Sequence, residues 1–203
     1  MDVSYLQDLA DLSNANTPIA RFVVAHGRYL VMGGSLSLGE EDRLFISATD
    51  VGGTFVGDSG PNDAVNVDLG SRVPSGSNVI KGLGRFRDKL VVMFENATLI
   101  GTLGGFVESA HVPVFDDAIE NVGSISHRTI QTIGEDMIFG DRAGISNMKR
   151  ALFTGNIQSD RASQLIDPAY LTSLAKVPAT ASQEDRIWSL WDSQSNNYML
   201  FIP

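Results

Sequence analysis

Ile80-Lys81-Gly82-Leu83-Gly84-Arg85-Phe86, then Arg87-Asp88, then Lys89-Leu90-Val91-Val92-Met93-Phe94 is the stretch that decides the fold. An apolar run meets two polar residues and is followed at once by a more strongly apolar run. Two antiparallel strands joined by a two-residue turn give this pattern. The second run, Leu90 to Phe94, does not alternate between apolar and polar residues. It therefore reads as a strand covered on both faces.

The same unit recurs three times. Arg21 to His26, Gly27-Arg28 and Tyr29 to Met32 form one copy, and Thr129 to Ile133, Gly134-Glu135 and Asp136 to Phe139 another. The last is Ala179 to Gln183, Glu184-Asp185 and Arg186 to Leu190. Each unit is followed by a further strand: Arg43 to Ser47, Ala97 to Leu103, Gly144 to Met148 and Tyr198 to Ile202. The turns return about every 50 residues, close to the blade period of propeller repeats. The expected fold is all-β: propeller-like blades of antiparallel strands with one or two short helices. No WD or kelch signature is present, and a sandwich of hairpins gives a similar pattern.

The first helix is expected near the N-terminus, where Tyr5, Leu6, Leu9 and Leu12 share one side before Asn14 to Pro18 break it. The second is expected at Ala169 to Lys176, with Asp167 as cap and Pro168 in the first turn. A turn of helix at Ser159 to Ile166 precedes it. Asp50 to Asn78 and the acidic Val112 to Ile125 read as irregular loops. The chain thus divides into an N-terminal helix and linker, 1–18, and a propeller-like domain, 19–203. Four blades are few for ring closure, and an unfinished ring exposes an apolar edge. The expectation is that partner subunits cover it or that the blades continue in a longer chain, the second being favoured.

With 43% hydrophobic and 19% charged residues, the 203-residue chain can bury a core. It has no cysteine, which removes disulfides, thiolate metal sites and cysteine nucleophiles. No apolar run of 18 residues predicts a membrane segment, and Met1 to Tyr5 do not read as a signal peptide. The formal charge is −9, from 24 acidic and 15 basic side chains. A tight nucleic-acid binder carries the opposite sign, because its affinity comes from neutralising phosphates.

Three segments resemble a known family. Gly39-Glu40-Glu41-Asp42-Arg43-Leu44-Phe45-Ile46-Ser47-Ala48 resembles a strand of the tail nozzle proteins of short-tailed phages, also called tail tubular protein B or packaged-DNA stabilisation protein. Ile80 to Thr98 resembles a blade of the same proteins, and Gly123 to Ile145 the blade after it. The resemblance runs from about Arg21 to Leu200. It implies a non-enzymatic structural subunit of the virion: a homo-hexameric tube end beside adaptor, portal and fibre proteins, with DNA passing transiently through its axis. The chain is shorter than a whole nozzle protein and lacks the platform segments. Under this reading the acidic balance keeps DNA sliding rather than gripped. Asp116, Asp117 and Glu120 are candidates for a channel wall, with a solvated outer loop as the plainer reading.

No catalytic, cofactor-binding or metal-binding residue is expected. Leu44 to Thr54 ends in Asp50-Val51-Gly52-Gly53-Thr54, like the first phosphate hairpin of actin-fold sugar kinases, but no second hairpin follows. His26, His111 and His127 do not stand at metal-ligand spacing. The acidic pairs Glu40-Glu41 and Asp116-Asp117 leave a propeller hydrolase as a minor alternative. Asn96-Ala97-Thr98 matches a glycosylation sequon inside a tight turn. Trp188 and Trp191, three apart on a strand, point to opposite faces. One belongs to the core; the other is a packing or subunit contact, or the platform of a glycan-binding or adhesion propeller.

Overall fold

The computed structural model describes residues 18–48, 55, 64–73, 79–103, 106–107, 110–111, 114–149, 167–177 and 186–203. Three of the four expected units are present as hairpins: β1 (Ala20–His26) with β2 (Tyr29–Ser35), β5 (Gly82–Phe86) with β6 (Lys89–Met93), and β11 (Gln131–Ile133) with β12 (Asp136–Asp141). His26 pairs with Tyr29, Phe86 with Lys89 and Ile133 with Asp136, so each turn has two residues. The first turn residue has positive φ in all three: 60° at Gly27, 57° at Arg87 and 59° at Gly134. That twist matches the flanking strands. Arg87 adopts it without being glycine, and its carbonyl accepts a bond from Arg85 Nε at 2.8 Å.

Each hairpin is extended in chain order by β3 (Arg43–Ile46), β7 (Ala97–Thr102) or β13 (Gly144–Asn147). Two further strands lie inside stretches expected to be irregular. β4 (Val65–Asp68) completes a first sheet, β1-β2-β3-β4, and β10 (Val114–Glu120) completes a second, β10-β7-β6-β5. The loop reading of 112–125 is therefore corrected: β10 pairs with β7 and carries a β-bulge between Phe115 and Asp117. A small hairpin, β8 (Phe106–Val107) and β9 (Ala110–His111), lies between β7 and β10. The third sheet is β11-β12-β13; the last is β14 (Trp188–Asp192) with β15 (Asn197–Phe201). The expected strand at 179–183, the N-terminal helix and the 159–166 turn lie outside the described residues. The expected second helix is α1, Asp167–Leu174; it buries Tyr170.

Three apolar layers separate the four sheets. Phe22, Val31 and Leu44 of the first sheet pack against Leu90, Val92 and Leu99 of the second. Val91, Met93 and Ile100, on the opposite face of the second sheet, meet Met137 and Phe139 of the third. Ile125, Ile138 and Ile145 then meet Tyr170 of α1 and Tyr198 and Leu200 of the last sheet. The lack of alternation in β6 thus has its cause: Leu90, Val91, Val92 and Met93 all have 0% exposure.

The leading strands of the first three units also touch in sequence, β1 with β5 and β5 with β11, and β11 touches β14 of the fourth unit. The approach of β5 to the third unit is close enough that a Cβ on Gly84 would stand 2.7 Å from Met137 Sδ. Among the described residues the sheets form an open series, with no closed barrel or ring.

Candidate functional site

The groups singled out in the sequence do not converge on one place. His26 closes β1 and is buried. Its Nδ1 meets no hydrogen-bond partner among the described residues. Burial, and then the Arg85 guanidinium, hold its pKa below the ordinary value, against an opposing pull from Asp88. His127 sits in a 3₁₀ turn, His127–Thr129. Its Nδ1 accepts from Leu83 N at 3.4 Å, and its ring lies 4.9 Å from that of Phe22. His111 is in β9. Among the described residues no group of three His, Asp or Glu side chains could hold a metal ion.

The neutral state of His26 has a consequence for stability. The unfolded chain takes up a proton at the ordinary value of 6.5, whereas the folded chain does so only at lower pH. More protons are then bound when unfolded, so the contribution is complete above pH 6.5 and falls as acid is added. The urea midpoint should drop on lowering pH through this window. In His26→Leu that part of the slope should vanish; equal slopes in the two proteins would refute it.

Glu40 and Glu41 serve local structure. Glu40 Oε1 accepts from Arg43 Nη1 at 2.9 Å, and Glu41 Oε2 from Gly39 N at 2.8 Å, so both close the turn into β3. Asp116 and Asp117 stand at the bulge of β10, and Glu120 is exposed at its end. β10 is an edge strand, where charge and a bulge discourage pairing with another sheet. Thr98 of the sequon is buried and donates to Val122 O at 2.8 Å, which ties it to the core. The Asp50–Thr54 segment lies outside the described residues.

A cavity of about 320 Å³ lies between α1 and the last two sheets, lined by Ile145, Ala169, Tyr170, Ser173, Tyr198 and Leu200, among others. Its two phenols are engaged in the fold. Tyr170 donates to Asp141 O, and Tyr198 to Thr129 O at 2.8 Å. Burial pushes the Tyr170 pKa well above the ordinary phenol value and that of Tyr198 up to about 12. These groups clamp the third sheet to its neighbours. They stay neutral and bonded at physiological pH.

The two tryptophans divide as their spacing requires. Trp188 is 42% exposed. Its ring stacks on Phe201 at 4.0 Å between centroids, with planes 10° apart. Trp191 lies half-buried on the opposite side of the strand. Leu190 and Met199 extend the exposed patch around Trp188. Sequence reasoning placed Trp188 on its own face but did not see this four-residue patch, although its signal, apolar residues at alternate positions of both strands, is present in Trp188-Ser189-Leu190 and Met199-Leu200-Phe201.

Compared with known protein families and with curated proteins, the chain matches none. No helix among the described residues is long and apolar enough to cross a membrane. What the geometry of the described residues offers is a series of sheets sealed layer by layer, clamped by buried hydroxyls, with an apolar face left open on the last sheet.

Proposed function

We propose that this chain is a wall segment of a phage tail: a nozzle-type structural protein whose sheets act as propeller blades around an axis. In this reading it works without catalysis, as a homo-hexamer in the virion beside adaptor, portal and fibre proteins, with DNA passing through the bore. The observation that carries the reading is the double burial of the second sheet. One of the segments that resemble nozzle blades, Ile80 to Thr98, has a central strand with Val91 and Val92 both at 0% exposure. A blade between two blades needs this.

Two further observations support it. The three segments that resemble the nozzle family fall on three successive sheets, centred on β3, on β5-β6 and on β11-β12. The leading strands of the first three units touch one after another, which is how blades meet near an axis. A net charge of −9 leaves such a wall non-adhesive towards DNA phosphates. The glycan-binding alternative rests on Trp188, but one face of that ring is already covered by Phe201. Electron microscopy of the purified protein tests the proposal. Ring particles with sixfold symmetry and a central hole are expected; a monomer by light scattering at all concentrations would overturn it.

A further inference from the structure

Every internal sheet in this protein has a face turned back towards the preceding sheet and a face turned forward to the next. Among the described residues, two such faces remain at the ends of the series. The forward face of the last sheet carries Trp188, Leu190, Met199 and Phe201, exposed by 42, 48, 37 and 41%. The backward face of the first sheet carries Val23, which is 54% exposed, with Met32 and Phe45 half-buried beside it in one cross-strand row. We propose that these two faces are one interface, in which the forward face of one copy seats on the backward face of a second copy of this chain.

The rows on the two sheets fit a second copy. By its sequence β14 is the second strand of its unit, following the polar Glu184-Asp185 as β2 follows Gly27-Arg28. Continuing the series therefore sets β2 of the incoming copy over β14, and β3 over β15. In the last sheet Asp192 pairs with Asn197 at one end, Leu190 with Met199 in the middle, and Trp188 with Phe201 at the other end. In the first sheet the corresponding end carries Arg21, two residues before Val23, and Arg43, which is paired with Glu40 and stands opposite Asp68. The middle is the row of Val23, Met32 and Phe45, and the far end is Ala25 paired with Leu30.

Three levels then match. Arg21 faces Asp192, the apolar rows face each other, and the smaller Ala25-Leu30 pair faces the bulky Trp188-Phe201 stack. Ser195 Oγ and Gln194 N both donate to the Asp192 carboxylate, which keeps it charged. Opposite charge at one end and large against small at the other fix the direction in which two copies can stack. The contact is head-to-tail. Copies joined this way close a ring if their rotation allows. The inference rests on the stacking of sheets alone, and stands whether or not DNA passes through the assembly.

The absence of cysteine gives a clean test. Met32→Cys and Leu190→Cys are made in separate chains and oxidised, alone and mixed, at micromolar concentration. The mixture is expected to give a disulfide-linked pair that neither variant gives alone, and light scattering of the unmodified chain is expected to report two or more copies. Leu190→Asp should raise the dissociation constant about 30-fold; an unchanged circular dichroism melt would show that the fold is intact. A chain that stays monomeric, or linkage of each variant to itself but not to the other, would overturn the proposal. Rings of a symmetry other than six would leave this interface standing and sink only the hexamer.

Discussion

Val91→Asp and Val92→Asp should each unfold the protein, although the two residues point to opposite faces of one strand. In a sheet with one wet side, one of the two changes would be harmless. Here Val91 belongs to the layer shared with Met137 and Phe139, and Val92 to the layer shared with Val31 and Leu44. Both have 0% exposure, so neither new carboxylate reaches water. Burying an unpaired charge costs about 4 kcal/mol or more, a large share of the roughly 5–15 kcal/mol that holds a domain together. The measurement is the urea midpoint by circular dichroism, with Leu38→Asp, at a position 96% exposed, as the control, where a change within about 0.5 kcal/mol is expected. A midpoint near that of the unmodified protein for either Val91→Asp or Val92→Asp would show that β6 has a wet side.

Gly123→Ala should be nearly as damaging, through one methyl group. Gly123 lies in the passage from the second sheet to the third, where a Cβ would run into the carbonyl oxygens of Phe94 and Glu95. Neither side can withdraw freely. Asn121 N donates to Asn96 O at 2.9 Å and Ser124 N to Phe94 O at 2.9 Å, so the two backbone segments are bonded on both sides of the collision. Backbone atoms, unlike the end of a flexible side chain, cannot rotate away. The expected cost is about 3 kcal/mol, which at this chain length lowers the melting temperature by about 6–12 °C. Gly134→Ala is the comparison. A Cβ there meets nothing within 4 Å, and the only strain comes from a φ of 59°, so a smaller loss of about 1 kcal/mol is expected. Equal losses in the two variants would mean that the passage at Gly123 has room to yield.

Much of the fold was legible because it is local. A hairpin needs two apolar runs and a two-residue turn, and all of this lies within some fifteen consecutive residues, as in Ile80 to Phe94. The helix at Asp167–Leu174 was legible for the same reason, from a cap and a proline at its start. β4 and β10 were not. Val65-Asn66-Val67-Asp68 and Val114 to Glu120 mix apolar with polar or acidic residues and sit in polar stretches, and they become strands because β3 and β7 present unpaired edges to them. An edge strand needs one apolar face at most, so its composition resembles that of a loop.

For the candidate site the division is sharper. Sequence by itself determined that Trp188 and Trp191 point to opposite faces, since side chains along a strand alternate. It also determined that His26, His111 and His127 are not at metal-ligand spacing along the chain. Only the tertiary structure decided which tryptophan is open, that Leu190, Met199 and Phe201 join it in one patch, and that a buried His26 comes to lie beside Arg85. The physical reason is that alternation assigns a residue to a face, whereas whether that face is covered depends on another sheet tens of residues away.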